Sequence, residues 1–335
     1  MVALINCLRN KKLIDEKQAS IVYIIAFFHD AIYDPKSTTN EEDSAMLFLD
    51  FILDDLKIQA CHYFISKDEV IKLKLNLIKE NHSDFDSVLQ IYQAILDTKT
   101  HKPKSEISKI FCALDLFCLT NYNLTELINY ELEIFNEYQF YDYILYHEKR
   151  IQIWTDFNKE LKNPNLDALI SYIKTRTVKI GLYPGSFNPF HIGHLDVLRK
   201  AEEIFDKVVI CKGVNPAKVY EMDSPCSFKP YREIKNFNSY LVNFLNELNL
   251  KAREYEKQNN YLPIVEYYIV RGLRNHFDFD FEANQLRYSS GLAKQKRIKF
   301  NTVFLLSEPE FQHISSSDIR NMEKFEPGSA KHLIV

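Results

Sequence analysis

Glycine is missing from the first 180 residues of this 335-residue sequence, and all seven glycines lie beyond that point. Eight of the eleven prolines do so too. Tight turns between strands depend on these two residue types, so a half without glycine is hard to fold as β structure. The length is large for a single core, so we expect two domains, of which the first is helical.

Paired cysteines and long apolar runs are also missing. The six cysteines, at positions 7, 61, 112, 118, 211 and 226, form neither a CxxC pair nor a disulfide framework. This spacing predicts reduced thiols and a cytoplasmic protein. No signal peptide is evident, and the longest uncharged apolar run, residues 19–28, is too short to cross a bilayer. We therefore expect no membrane partner.

The charge is divided between the two halves. Residues 1–177 carry 20 lysines and arginines against 27 aspartates and glutamates, whereas residues 178–335 carry 22 against 19. A slightly basic second half suits small ligands that bear phosphate. Neither half is basic enough to predict a nucleic-acid partner. The oligomeric state stays open, with a homo-oligomer among the options.

Apolar residues recur at helical spacing from Lys17 to about Lys174, which predicts one helix after another. The dipeptide His29-Asp30 ends one of these apolar stretches. An adjacent histidine and aspartate at a helix end, together with a carboxylate from a distant helix, can bind one divalent metal. Asp115 is the candidate for that second carboxylate.

Four segments of this half, residues 28–35, 40–45, 98–101 and 113–119, resemble the HD-superfamily metal-dependent phosphohydrolases. The resemblance covers roughly residues 15–172 and implies an all-helical HD-like domain over residues 1–174. It also implies His29, Asp30 and Asp115 as ligands of a divalent transition metal. That family has a further histidine upstream of the His-Asp pair, and residues 1–28 contain none.

Several interpretations of this half remain open. The domain is a degenerate structural or regulatory remnant, or it is an active phosphohydrolase in which a residue such as His101 replaces the missing ligand. A third option is that the chain begins after the helix that carries the missing histidine. A last option involves no metal: His29 and Asp30 would then be a hydrogen-bonded polar pair inside a helical core.

The second half is organised around residues 183–194, which lie between an apolar strand and an amphipathic helix. Gly185 and Gly193 let the backbone approach a ligand, and the helix start presents free N–H groups to an anion. His191 and His194 place two imidazoles beside that pocket. A tight turn whose histidines only cap or pack is the alternative. The tetrad His191-Ile-Gly-His194 resembles the HIGH signature of the nucleotidyltransferase superfamily.

Three later segments each place phosphate-binding side chains at the end of a predicted strand. Lys218 follows the strand at residues 207–212. Arg271 and Arg274 follow the strand at residues 267–270 and can grip a phosphate with two bonds. After the strand at residues 302–306, Ser315–Ser317 can cap a helix and face a phosphate. We expect the acids Asp278, Asp280 and Glu282 to cap the helix that follows the arginines.

These segments, in this order, resemble phosphopantetheine adenylyltransferases over residues 178–335. The resemblance implies a doubly wound, Rossmann-like parallel sheet, with ATP as substrate and Mg²⁺ held by its phosphates. It implies transfer of AMP to 4′-phosphopantetheine, a small phosphorylated acceptor, to give dephospho-CoA and pyrophosphate.

The catalytic residues it implies are Ser186, His194, Lys218 and Arg274. The implied nucleotide-binding residues are Gly185, Phe187, His191, Gly193, Arg271, Glu282, Ser315, Ser316, Ser317 and Arg320. The acceptor would contact Ser186, Lys218, Leu241 and Arg274.

The acceptor region departs from that family. Residues 219–231 form a proline-containing segment where the family has a helix, His191 stands where threonine is common, and Arg320 is more typical of nicotinate-mononucleotide or flavin adenylyltransferases. Adenylyl or cytidylyl transfer to another phosphorylated acceptor is therefore the alternative activity. A phosphohydrolase-dominated enzyme and a non-catalytic nucleotide sensor are the alternatives of a different class.

Overall fold

The structure is a computed structural model that describes residues 1–57, 66–213, 232–259, 261 and 263–335. The chain divides into two compact units, Met1–Asn123 and Leu124–Val335. The sequence predicted the division later, between residues 174 and 178. Among the described residues, no helix is both long and apolar enough to span a membrane.

The described elements of the first unit are helices: α1 (Val2–Asn10), α2 (Glu16–Phe28), α3 (Asn40–Asp55), α4 (Lys67–Asn81), α5 (Phe85–Thr98), α6 (Glu106–Asp115) and α7 (Phe117–Asn121). Two of them, α2 and α4, begin with a reciprocal cap. The side chains of Asp15 and Ser66 each accept the N–H of the residue three positions later, and the side chain of that later residue accepts the N–H of the capping residue. Their apolar faces meet in one core, where Ile25, Phe48 and Phe111 are completely or almost completely buried.

The second unit contains α8 (Leu124–Glu137), α9 (Tyr143–Leu161), α10 (Pro164–Thr175), β1 (Thr177–Gly185), α11 (Ile192–Ile204), β2 (Lys207–Gly213), β3 (Glu233–Phe237), α12 (Leu241–Asn259), β4 (Ile264–Leu273), α13 (His276–Gln295), β5 (Asn301–Leu306) and α14 (Ser316–Phe325). The five strands among its described residues pair in parallel in the order β3-β2-β1-β4-β5. This confirms the predicted parallel sheet. Strand β3 was not predicted.

The central strands β1 and β2 are buried on both faces, as in a doubly wound fold. Residues Ile180 and Leu182 of β1 pack into one apolar cluster, and Tyr183 packs into the other. The chain leaves β1 towards β2 on one side, whereas β4 lies on the other side of β1. The carboxyl ends of β1 and β4 therefore flank the crevice in which such sheets bind ligands.

The difference in domain boundary has a physical reason. Phe135 of α8 and Tyr143 and Tyr146 of α9 pack in the same apolar cluster as Val178 and Ile180 of β1. These helices cover part of the sheet, so they belong to the α/β unit. Their helical periodicity alone gave no indication of which core they would join.

A buried carboxylate ties the same helices together. Glu131 accepts hydrogen bonds from Tyr146 Oη at 2.7 Å, Arg150 Nη2 at 2.8 Å and Trp154 Nε1 at 2.8 Å. The glutamate is 2% exposed, so its charge depends on these partners for stabilisation. The network fixes α8 against α9.

Candidate active site

The loop between β1 and α11 turns sharply as it leaves the sheet. Phe187 adopts a left-handed backbone conformation with φ of 45°. A Cβ at Gly185 would lie 2.7 Å from the ring of Phe187, so the strand end must be glycine for the ring to pack there. The turn leads directly to the start of α11, where the first N–H groups have no partner within the helix.

His191 and His194 lie together at that helix start. Their rings stack with centroids 3.7 Å apart and an interplanar angle of 25°. The backbone N–H of His191 donates to Nδ1 of His194 at 3.3 Å. Because Nδ1 acts as acceptor, a neutral His194 carries its proton on Nε2 and is a donor there.

Both imidazoles are held neutral near pH 7. Burial, and then the positive charge of Arg274, lower the pKa of His191 to about 4. Burial, followed by His191 and Arg274, lowers the pKa of His194 well below its ordinary value. The pair therefore offers hydrogen bonds to an anion without a full positive charge.

A pocket of about 360 Å³ opens over these rings, at the carboxyl ends of β1 and β4. Ten of the residues proposed from the sequence line it: Gly185, Phe187, His191, Gly193, His194, Arg271, Arg274, Glu282, Ser315 and Ser316. The structure thus brings together three segments that lie far apart in the sequence.

The two arginines at the end of β4 each face a carboxylate of α13. Arg271 Nε lies 3.2 Å from Glu282 Oε2. Arg274 makes two parallel bonds of 2.9 Å to Asp278, and the Asp278 carboxylate also accepts the backbone N–H of Arg274 at 2.9 Å. The hydrogen bond with Asp278 raises the pKa of Arg274, and the same bond lowers the pKa of Asp278.

This pairing corrects the expected capping role of Asp278 and Glu282. Asn275 caps α13, because its side-chain oxygen accepts the N–H groups of Phe277 and Asp278 at 3.0 and 3.1 Å. Asp278 and Glu282 instead orient the two arginines. The sequence did contain a signal for one pair, since Asp278 follows Arg274 by four residues.

The serines that begin α14 have different partners. Ser315 accepts the N–H of Asp318 at 3.1 Å and caps the helix. Ser316 donates to the carbonyl of Pro189 at 3.0 Å. Ser317 and Arg320 do not line the pocket; Arg320 Nη2 donates to Ser317 Oγ at 3.0 Å, and its Nη1 donates to the carbonyl of Asn188.

A second, larger pocket of about 1230 Å³ adjoins the first. The two share Pro184, Gly185, Arg271 and Phe281 as walls. Ser186 and Leu241, which the sequence assigned to the acceptor side, line this second pocket. Lys218, with residues 214–231, lies outside the described residues, so its proposed role stays a prediction.

In the first unit, the proposed metal ligands do lie close together. His29 Nε2 is 3.2 Å from Asp30 Oδ2 and 3.6 Å from Asp115 Oδ1, and His101 Nε2 is 2.9 Å from Asp115 Oδ2. Burial alone would lower the pKa of His29, but bonds to Asp115 and Asp30 raise it to about 10. Over the part of the chain that the structure describes, no three histidine, cysteine or acidic side chains are arranged to hold a metal ion.

Comparison with known proteins agrees with this geometry. The fold and the pocket define an α/β protein with a ligand-sized pocket at the switch point of its parallel sheet. The model of the cytidylyltransferase-like family matches residues 182–322. Phosphopantetheine adenylyltransferase from Latilactobacillus sakei is 32% identical over 150 residues, which are 44% of this chain and 84% of that protein. The enzyme of the same name from Mycoplasma capricolum is 33% identical over 147 residues, covering 44% and 97%.

The chain therefore belongs, through its second unit, to the cytidylyltransferase-like family of nucleotidyltransferases. A crystal structure from Vibrio parahaemolyticus, titled as a nicotinate-nucleotide adenylyltransferase, aligns with 47% of this chain and 94% of that one, at 17% identity. Its TM-score is 0.29.

Proposed function

We propose that the second unit transfers AMP from ATP to 4′-phosphopantetheine, producing dephospho-CoA and pyrophosphate. The observation that carries this proposal is the pair of adjoining pockets that share Gly185 and Arg271 as walls. Such a pair suits a nucleotide and a phosphorylated acceptor whose phosphates meet at the shared wall. The identity of 32% to 33% with adenylyltransferases of that name supports the choice of acceptor.

In the proposed reaction, a phosphate oxygen of the acceptor attacks the α-phosphorus of ATP. The new bond joins that oxygen to the α-phosphorus, and the bond to the β-phosphate oxygen breaks to release pyrophosphate. The acceptor is already an anion at pH 7, so no general base is required. Catalysis then depends on positioning and on stabilising negative charge in the transition state.

The roles we propose follow from the hydrogen-bonding capacity of each group. His194 donates a hydrogen bond from Nε2 to an α-phosphate oxygen, because its Nδ1 already accepts the N–H of His191. Arg274 presents a guanidinium that Asp278 already orients. Ser186 orients the acceptor phosphate from the second pocket, and Lys218 is the second cationic clamp that the resemblance implies.

Magnesium is expected to bind mainly to the phosphates of ATP and to water. The carboxylates that line the described part of the nucleotide pocket are those of Asp278 and Glu282, and each is paired with an arginine. Bound in that way, the ion would neutralise charge on the phosphates. The protein's own contribution is the set of donors described above.

The proposal is tested by the release of pyrophosphate from the full chain with ATP and a panel of acceptors. The panel contains 4′-phosphopantetheine, nicotinate mononucleotide, flavin mononucleotide and no acceptor, and each is repeated with CTP. We expect rapid release only with ATP and 4′-phosphopantetheine. A preference for nicotinate mononucleotide would show that the acceptor is wrong, and tight ATP binding without release on any acceptor would show a nucleotide sensor.

A further inference from the structure

The loop that carries the histidines is attached to α14 by two of its carbonyl groups. Arg320 Nη1 donates a hydrogen bond to the carbonyl of Asn188. One residue further along the loop, Ser316 Oγ donates to the carbonyl of Pro189 at 3.0 Å. Both donors come from the first turns of the same helix, so α14 and the loop are fixed to each other.

The next two loop residues are attached to the last residues of the sequence. The backbone N–H of Val335 donates to the carbonyl of Phe190 at 3.2 Å. Ile334 and His191 form an antiparallel β-bridge. Four consecutive loop residues are therefore held by contacts that come from outside the loop.

These attachments stabilise a loop that begins in an unfavourable backbone conformation. Phe187 has a φ of 45°, in the left-handed region that residues with side chains rarely adopt. Such a conformation persists only where the surroundings impose it. The loop ends at the N–H of His191, which is the group that holds Nδ1 of His194.

We propose that Arg320 is a positioning residue, which fixes the His191–His194 pair by holding the carbonyl of Asn188. The guanidinium is already used within the protein, since its other arm donates to Ser317 Oγ at 3.0 Å. It also does not line the nucleotide pocket. This role differs from the direct nucleotide contact that the resemblance implies, and it rests on the proposed function of His194.

The test compares Arg320→Ala and Arg320→Lys with Asn321→Ala, which changes an exposed neighbour on the same helix. Steady-state kinetics give kcat and the KM for ATP. In protein labelled with ¹⁵N-histidine, NMR reports which nitrogen of His194 carries the proton, and His194→Gln assigns the signal. The NMR measurement needs no turnover, so it remains informative if the proposed acceptor is wrong.

We expect Arg320→Ala to lower kcat about 10- to 100-fold, because small displacements of a catalytic group cost that much. The KM for ATP should change less than about twofold, and the His194 signals should move away from those of a single Nε2–H tautomer. Lysine keeps a cationic donor but lacks the planar fork with which Arg320 bonds Asn188 and Ser317 together, so it should restore part of kcat. Asn321→Ala should match the wild type.

A second variant removes one of the backbone donors to the loop, and it guards against failure of Arg320→Ala to fold. Val335→Pro removes the N–H that holds Phe190, and Ile334, with φ of −90° and ψ of 136°, tolerates a following proline. It should shift the His194 signals in the same direction with a smaller loss of kcat. Unchanged His194 signals in a folded Arg320→Ala protein would overturn the proposal, as would unchanged signals in both Arg320→Lys and Val335→Pro if the alanine variant does not fold. A KM for ATP raised about tenfold at constant kcat would assign Arg320 to nucleotide binding instead.

Discussion

The backbone N–H of His191 donates a hydrogen bond to Nδ1 of His194 across 3.3 Å, while the two rings stack 3.7 Å apart. One histidine thus fixes the tautomer of the other through the main chain. The arrangement leaves Nε2 of His194 as the donor. A neutral His194 can therefore still donate a hydrogen bond to an anion.

The first prediction concerns that donor. His194→Ala should reduce turnover about 10²- to 10³-fold, which is typical for loss of one hydrogen bond to a transition state, and should leave ATP binding largely intact. Glutamine places an amide near the position of Nε2, whereas asparagine places it near Nδ1. We therefore expect His194→Gln to retain more activity than His194→Asn. Turnover of the alanine variant within threefold of wild type would contradict this role.

The second prediction concerns Arg274. Its guanidinium makes two parallel bonds to Asp278, and a lysine cannot reproduce this fork. Arg274→Ala and Arg274→Lys should both weaken the phosphate-dependent steps, measured as kcat/KM for ATP and for the acceptor. Full activity of the lysine variant would mean that only a point charge is needed at this position.

The third prediction concerns acid stability. Burial lowers the pKa of His147 to about 4, from an ordinary value of 6.5. Between these two pH values the unfolded chain binds a proton at this histidine that the folded chain does not. The stability of the folded state must therefore fall as the pH is lowered from about 6.5 to about 4.

The measurement is the free energy of unfolding as a function of pH, for wild type and for His147→Leu. The side chain is 1% exposed and donates Nε2–H to the carbonyl of Ile173, so the leucine variant should be less stable at pH 7. Its stability should nevertheless fall less steeply with acid, by up to about 1.4 kcal/mol per pH unit. Parallel curves for the two proteins would refute the neutral buried state of His147.

The fourth prediction concerns the domain boundary. A fragment that starts at residue 124 should fold, whereas one that starts at residue 176 should not, because it exposes the sheet residues that Phe135, Tyr143 and Tyr146 cover. Thermal melting followed by circular dichroism, with dye binding to exposed apolar surface, distinguishes the two. Cooperative melting of the shorter fragment at the same temperature would show that α8–α10 are dispensable.

The fifth prediction concerns the helical unit. We expect at most weak metal-dependent phosphatase activity. The histidine that HD-superfamily phosphohydrolases have upstream of the His-Asp pair is missing, and Asp115 pairs with both His29 and His101. Metal analysis of the purified protein and phosphatase assays with Mn²⁺, Fe²⁺ and Co²⁺ test this. Stoichiometric metal together with rapid turnover that is lost in His29→Ala would show an active hydrolase. His101→Ala then tests whether that histidine replaces the missing ligand.

Local patterns predicted much of the site from the sequence. The glycines and histidines of residues 183–194, the arginine pair 271 and 274, and the serines 315 and 316 all line one pocket. Each segment follows a strand, and the carboxyl ends of parallel strands lie at one edge of the sheet. The order of the segments was therefore enough to bring them together.

Contacts between distant residues could not be predicted in this way. The attachment of Asn188 to Arg320 joins residues 132 positions apart, and no local pattern indicates such a bond. Strand β3 is short and includes the charged residues Glu233 and Lys235, so its sequence lacks the apolar run of a central strand. The membership of α8–α10 in the second unit depends on which core their apolar faces meet.

The most direct test of the account follows the fate of labelled ATP with the full chain and 4′-phosphopantetheine. With the label on the α-phosphate, we predict that it appears in the acceptor product, and with the label on the γ-phosphate, that it appears in pyrophosphate. His194→Ala should slow both together. Label from the γ-phosphate in inorganic phosphate or in the acceptor would show cleavage at a different bond, and would contradict nucleotidyl transfer at this site.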